Sequence, residues 1–383
     1  MIEYIGPLAL AGLAFLPKVQ GKMSERKIIE LYFKNTGFNL KRNKEVLWPE
    51  FWKKHMSPMF TRYDYNLPVG LEVEEGMADA LSKALGYPVE VSGEKVMSIW
   101  IFKKRLPKQW NYKDLLPSEG WKIPIGLSYK GMIWHDFDEI PHMTVAGATR
   151  WGKTIFLKVL LTYLIEQHGD DVEFYIFDLK GGLAFNKFKS LKQVRGVAGD
   201  YKESSDLMDL ITSDIKRDMS DFKLNDIENI TDTDLPKRKF VIIDEAGELM
   251  KNKSMTDQEK KWVENCQRTM SYIARVSGGI GLRQIFCTQY PTGDVLDRQI
   301  KANSSAKISF RLENGTMSKV ALDELGAEEI DTKGRAIYRT VDRHLVQVPY
   351  ISREEMWSRL EEHVDVKAPA ENGKGRENPI KFR

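Results

Sequence analysis

Three short stretches carry side chains able to work on a phosphate. The first is Gly147-Ala148-Thr149-Arg150-Trp151-Gly152-Lys153-Thr154, which follows the apolar run 143–146 and opens an apolar-periodic segment at Ile155. That is the strand–loop–helix setting of a phosphate-binding P-loop. Gly147 and Gly152 let the backbone curl so that successive N–H groups converge on a β-phosphate, and the start of the next helix adds partial positive charge. Lys153 can reach β- and γ-phosphate oxygens, and the Thr154 hydroxyl can ligate Mg²⁺. The second stretch is Phe240-Val241-Ile242-Ile243-Asp244-Glu245, an apolar strand tipped by two carboxylates. Asp244 suits Mg²⁺ held through its water shell, and Glu245 suits the orientation and deprotonation of an attacking water. The third is Cys287-Thr288-Gln289, where a strand tip presents an amide that can report whether a γ-phosphate is present. A guanidinium for the developing charge could come from Arg268, Arg275, Arg283, Arg298 or Arg311, which spacing does not rank.

These side chains need a scaffold that brings strand ends together. The runs 174–177, 240–243, 285–287 and 308–310 are continuously apolar, which predicts a parallel sheet covered on both faces. Helical stretches at 154–168, 204–221 and 257–276 separate most of them, and the first is apolar on nearly every side, so it must be buried. The fold class is therefore α/β, with ligands expected at the carboxyl ends of the strands. Ahead of the motor lie a helix over 24–38, an aromatic cluster (Trp48, Phe51, Trp52), strands at 63–69, 89–91 and 96–102, and a helix over 76–84. A strand pair at 123–127 and 131–134 leads into the motor. The expected domains are a hydrophobic segment at 1–22, a basic helical linker at 23–57, a small α+β domain at 58–135, the motor at 136–350, and a C-terminal helix with a disordered polar tail at 351–383.

Composition narrows the class. The chain has 383 residues, 42% of them hydrophobic, enough for one large core and a smaller one. Net charge is only +3, so there is no global polycation, yet residues 17–54 hold ten Lys/Arg against four Glu. Such an asymmetry fits an acidic surface or a nucleic-acid partner as well as a solvated basic helix. Two cysteines exclude a disulfide framework and suit a reducing cytoplasm, and six scattered histidines give no metal-ligand spacing. Ile2 to Leu16 is almost wholly apolar but shorter than the roughly 20 residues that span a bilayer as a helix. It lacks a basic n-region, which argues against a secretory signal. It fits either an anchor at the inner face of the cell membrane, with the basic flank keeping the body cytoplasmic, or a packing helix.

Several stretches together resemble the FtsK/SpoIIIE family of DNA translocases: 141–154 (P-H-M-T-V-A-G-A-T-R-W-G-K-T), 242–249 (I-I-D-E-A-G-E-L), 274–282 (A-R-V-S-G-G-I-G-L), 287–291 (C-T-Q-Y-P) and 300–311 (I-K-A-N-S-S-A-K-I-S-F-R). Residues 61–70 (T-R-Y-D-Y-N-L-P-V-G) resemble the small domain that precedes the motor in that family, and the likeness covers about 58–348. The resemblance implies a RecA-like ATPase using ATP and Mg²⁺, assembled as a homo-hexameric ring that pumps double-stranded DNA. It places Lys153 and Thr154 on phosphate and Mg²⁺, Asp244 and Glu245 as the acidic pair, Gln289 as the sensor, and Arg311 as a finger reaching a neighbouring subunit. It implies channel-facing loops carrying Lys180, Lys187 and Lys189, then Lys251 and Lys253, for phosphate contacts without sequence information. Arg150-Trp151 stands where chromosome translocases usually have Gly-Ser. With no winged-helix module after the motor and no multi-span domain before it, the layout resembles coupling proteins of conjugative plasmids and integrative elements, for which a relaxase is a natural partner. The alternatives are an FtsK-like protein-secretion ATPase and a nucleotide-switched DNA-binding module in plasmid replication or partition.

Overall fold

The structure, a computed structural model, describes residues 23–42, 45–74, 76–293, 295 and 298–365, so the apolar segment 2–16 and the polar tail lie outside the described residues. Two compact units divide at Leu106 and Pro107. In the first, helix α1 (Glu25–Thr36) precedes a hairpin of β1 (Leu40–Arg42) and β2 (Glu45–Leu47). Strands β3 (Glu50–Met56), β4 (Phe60–Asn66), β5 (Val89–Ser92) and β6 (Val96–Phe102), with helix α2 (Met77–Leu85) between β4 and β5, form an antiparallel sheet in the order β3-β4-β6-β5. Ser24 caps α1, whose buried face (Ile29, Tyr32, Phe33) packs with Tyr63, Tyr65, Leu81, Met97, Ile99 and Ile101. Residues 23–57 are therefore not a linker. Their helix, read from the sequence at 24–38, and their third strand complete this core; the strand was hidden because β3 carries exposed Lys53 and Lys54 beside half-buried Phe51.

The second unit is built on a ten-stranded sheet. Its strands are β8 (Lys122–Ser128), β9 (Gly131–Asp136), β10 (His142–Ala146), β11 (Val172–Phe177), β12 (Val194–Ala198), β13 (Arg238–Ile243), β14 (Leu282–Thr288), β15 (Ala306–Ser309), β16 (Arg335–Arg339) and β17 (Arg343–Gln347). A two-residue strand β7 (Trp110–Asn111) pairs separately with β18 (Pro349–Tyr350). The order is β12-β11-β13-β14-β10-β15-β16-β17-β8-β9, parallel from β12 to β15 and antiparallel beyond. The expected strand pair at 123–134 is thus the edge of the ten-stranded sheet rather than part of the small domain. Four antiparallel strands were not legible as a continuation because β16 and β17 carry charged ends on short apolar centres.

Side chains alternate across the parallel strands. Phe174, Ile176, Phe240, Ile242, Ile285 and Cys287 face one core, which receives α3 (Lys153–His168) and α8 (Arg353–Leu360). Tyr175, Phe177, Val241, Ile243 and Phe286 face the other, which receives α4 (Tyr201–Leu224) and α5 (Asp257–Val276). Short helices α6 (Arg298–Asn303) and α7 (Gly315–Leu322) flank β15. Asp200 caps α4, and Thr256 with Glu259 forms a reciprocal capping box on α5. The predicted α/β class holds, with both faces of the sheet covered as its apolar strands require.

Candidate active site

Strand β10 sits inside the sheet between β14 and β15, so the loop that follows it emerges among the carboxyl ends of parallel strands. The P-loop is pinned there by backbone bonds: Gly147 N donates to Thr288 O (3.2 Å), Ala148 N to Arg311 O (2.8 Å), and Gly334 N to Trp151 O (3.0 Å). Phe310 forms the floor, and it is close enough that a Cβ added at Gly147 or Gly152 would meet its ring carbons or Cβ at 2.7–2.8 Å. Gly152 also has φ of 132°, which L-residues rarely adopt. Arg150 takes φ of 68°, a left-handed conformation that a glycine would hold without strain and that here falls on an arginine.

Lys153, at the first turn of α3, is buried and reaches across to the acidic pair. Its Nζ donates to the Asp244 carbonyl at 2.9 Å and to Glu245 Oε2 at 3.2 Å. Glu245 Oε1 accepts from Gln289 N at 3.0 Å and from Thr288 Oγ1 at 3.2 Å. Gln289 in turn accepts from Thr149 Oγ1 at 2.7 Å through its side-chain oxygen, which ties the amide to the P-loop. The three stretches singled out in the sequence therefore converge on one cavity of about 660 Å³, lined by the loop from Ala148 to Thr154, Asp244 and Gln289.

Two carboxylates here are buried with an oxygen left unpaired, Asp244 Oδ1 and Asp178 Oδ1. Burial pushes Asp244 above the ordinary carboxylate range, and the ammonium groups of Lys153 and Lys180 only partly counter it, with Asp178 and Glu245 adding to the rise. Such a site favours a cation, and the donor set fits Mg²⁺: hard oxygen from Asp244, the Thr154 hydroxyl, and phosphate oxygens. Among the described residues no cluster of three His, Cys, Asp or Glu side chains could hold a metal unaided.

Not every expected residue lies where the sequence put it. Lys180, expected on a channel-facing loop, has its Nζ 3.2 Å from Glu245 Oε2 and lines the catalytic cavity. Lys187 is exposed but lies 4.0 Å over the Trp357 ring, and Lys251 pairs with Glu264 at 3.1 Å. Lys189 and Lys253 are exposed. Arg311 is half-buried in its own chain: its guanidinium stacks 4.9 Å over Trp151, and Nη1 donates to Ile330 O at 2.8 Å. Asp178, absent from the sequence-derived site, ends β11 and anchors the next turn by accepting from Ala184 N (2.8 Å) and Phe185 N (2.9 Å). Its signal was a carboxylate at a strand end followed by a glycine pair.

Fold and site together define a RecA-like P-loop ATPase domain. Residues 116–276 match the model of the FtsK/SpoIIIE family. Curated relatives include the DNA translocase FtsK of Streptococcus pyogenes serotype M3, 23% identical over 83% of this chain and 41% of the relative. Another is the DNA translocase FtsK of Lactiplantibacillus plantarum, 25% identical over 78% of this chain and 40% of the relative. The chain thus spans about two-fifths of the length of the curated relatives it matches. Among solved structures it is similar to the pCW3 conjugation coupling protein TcpA in monomer form with ATPγS, with TM-score 0.63 and 20% identity over 88% of this chain and 99% of that one. It is also similar to the cytoplasmic domain of the type VII secretion ATPase EccC of Thermomonospora curvata, with TM-score 0.53 and 20% identity over 65% of this chain and 31% of that one.

Proposed function

We propose that the protein is an ATP-driven double-stranded DNA translocase acting as a conjugation coupling protein, working as a homo-hexameric ring. The observation that carries the ATPase reading is Lys153 bridging the P-loop to Asp244 and Glu245 in one cavity. The backbone N–H groups of 149–154 would hold the phosphates, and Thr154 with Asp244 would hold Mg²⁺, which would supply charge neutralisation there. Glu245 takes the proton of the attacking water, and Gln289 is set to sense the γ-phosphate through its tie to Thr149. Arg311 is the proposed trans finger; to reach a neighbouring subunit it must leave Trp151 and the Ile330 carbonyl.

The DNA reading rests on the family of the motor and on the exposed lysines Lys187, Lys189, Lys251 and Lys253. Coupling is favoured over protein secretion because the match to the coupling protein runs through 99% of that chain, against 31% of the secretion ATPase. A relaxase partner and membrane contact through 2–16 belong to the same proposal; among the described residues no helix is long and apolar enough to cross a membrane.

The test is ATP turnover with and without long duplex DNA across a range of protein concentrations. Turnover should rise with DNA and, as rings close through head-to-tail contacts, with concentration. Turnover indifferent to DNA would leave a secretion ATPase or a slow nucleotide switch as the better reading.

A further inference from the structure

The residue least accounted for by that reading is Lys180, whose Nζ lies 3.2 Å from Glu245 Oε2 and shares that oxygen with Lys153. The other oxygen accepts from Gln289 N and Thr288 Oγ1. An ionised carboxylate offers about four lone-pair sites. Lys153, Thr288 and Gln289 take three of them by hydrogen bonds, and the Lys180 ammonium stands 3.2 Å from Oε2 as an ion-pair partner, so the oxygen that must accept a proton from water is held between two cations.

Lys153 has an alternative partner, since nucleotide phosphates bound in the loop would draw its ammonium away. Thr288 and the Gln289 amide are fixed by β14, one of the central strands. Lys180 alone sits on a segment made to turn. Asp178 is clamped by its bond to Ala198 O and by its carboxylate bonds to Ala184 N and Phe185 N. Between those anchors, Gly181 and Gly182 follow Lys180 with φ of 80° and 72°, and Leu183 is 91% exposed. The same segment runs on into the short helical turn Asn186–Ser190 that presents Lys187 and Lys189.

We propose that Lys180 is a positioning residue that restrains Glu245, keeping its Oε2 from water until movement of the 179–183 turn withdraws the ammonium. Once Lys153 has gone to phosphate, Lys180 is the remaining cation on that oxygen and sets the turnover of the nucleotide-bound enzyme. The inference rests on the ATPase reading above but not on DNA being the substrate. Contact at Lys187 and Lys189 is the natural trigger, because they follow the turn directly.

The experiment is steady-state ATP hydrolysis by the full chain carrying Lys180→Met, Lys180→Gln or Lys180→Arg, without DNA and with saturating duplex. Removing the ammonium that pairs with Glu245 should raise the DNA-free kcat about tenfold, with KM for ATP little changed. Lys180→Arg should keep the low rate, and adding Glu245→Gln to Lys180→Met should abolish the gain. A folded Lys180→Met enzyme with unchanged or reduced DNA-free turnover overturns the restraint. So does failure of both Lys180→Met and Lys180→Gln to fold, which would make the lysine structural. Loss of DNA stimulation in the wild type would count against the pump alone, since the DNA-free ratio of variant to wild type still decides Lys180.

Discussion

The two ends of the central strands treat buried charge in opposite ways. At the amino ends, Arg238 opens β13 and Arg283 lies near the start of β14, and both bind Asp138. Arg238 Nε and Arg283 Nη2 reach Asp138 Oδ1 at 2.9 and 2.7 Å, and Arg238 Nη2 reaches Oδ2 at 3.0 Å. Burial alone would raise Asp138, but the bonds from the two guanidinium groups bring it below the ordinary carboxylate range. His135 and His142 nearby are held neutral by burial, both lowered to about 3, and His142 Nδ1 accepts from Gln284 N. At the carboxyl ends of the same strands, Asp244 is pushed the other way and keeps an unpaired oxygen. Orphan atoms occur at both ends, since both amide atoms of Gln284 and Nε2 of His135 also lack partners. Those are neutral groups, and Arg283 Nε, likewise orphaned, belongs to a guanidinium already paired with Asp138. Among the described residues at the two ends, it is the carboxyl end that leaves a buried carboxylate oxygen without a hydrogen bond, which is the mark of a site completed by something else.

The largest effects should come from breaking the waiting end. Lys153→Ala should abolish hydrolysis and weaken nucleotide binding, because the phosphates lose their charged partner. Glu245→Gln should leave binding intact while cutting turnover by roughly 10²–10⁴-fold, the usual contribution of a positioned base. Isothermal titration beside single-turnover hydrolysis separates the two. Equal loss of binding in both variants would mean the acidic pair has been given the wrong role.

Nearly as large is the effect expected of Arg311, and it has a built-in discriminator. An arginine finger contributes on the order of a thousandfold or more. Subunits with Arg311→Ala keep a sound P-loop, and subunits with Lys153→Ala keep a sound Arg311. If the arginine acts in trans, mixing two inactive variants should restore part of the activity. If co-assembled mixtures stay inactive, the contacts with Trp151 and Ile330 are its whole role, and Arg311 acts on its own P-loop.

At the satisfied end the currency is stability rather than turnover. Asp138→Ala strands two guanidinium groups whose side chains are 5% and 1% exposed. Breaking a buried pair in this way costs about 3 kcal/mol, readable in denaturant unfolding. Because Asp138 is depressed, its stabilisation is present above the ordinary carboxylate pKa and is lost as pH falls through the lower folded value. Asp244 has the reverse sign. Its raised pKa means that its contribution is whole below the unfolded value and is lost as pH rises through the folded one. Asp244→Asn should therefore raise the melting temperature of the ligand-free protein at neutral pH, by a few degrees at most, and the gain should shrink toward pH 4. The same variant should lose the Mg²⁺-dependent part of nucleotide affinity. A melting temperature unchanged across that range would mean Asp244 carries no burden that a cation relieves.

How much of this was legible follows the same division. The P-loop, the acidic pair and Gln289 were readable because their chemistry fixes residue type and spacing along the chain. The parallel half of the sheet was readable because strands buried on both faces have nothing but apolar residues to show. What escaped is what depends on contacts distant in sequence. Asp138 meets Arg283 across 145 positions, and Arg311 meets Trp151 only because β15 lies beside β10. Lys180 escaped for another reason. A lysine after a strand end and before two glycines reads as a solvated loop residue, and only the fold reveals that the turn aims it at Glu245.

The smallest effect concerns the exposed lysines beyond that turn, and it sharpens the contrast between charge that is spoken for and charge that is not. Each phosphate neutralised on duplex DNA contributes about 0.9 to the slope of log K against log salt. Lys187 and Lys189 are both exposed, but Lys187 lies over Trp357, a cation–π contact worth about 0.5–1 kcal/mol at such a site. Lys189 can meet a phosphate at little cost, whereas Lys187 must first give up the ring. The double variant Lys187→Ala/Lys189→Ala should therefore flatten the slope by between about 0.9 and about 1.8, measured by fluorescence anisotropy on duplexes of unrelated sequence. Trp357→Leu should tighten binding slightly by releasing Lys187. Lys251→Ala tests the second loop, where the pair with Glu264 is a weak surface one and should not keep the lysine from DNA. If the slope survives the double variant but falls with Lys251→Ala, the DNA path follows the loop after Glu248, and the turn carrying Lys180 is then moved by nucleotide rather than by DNA.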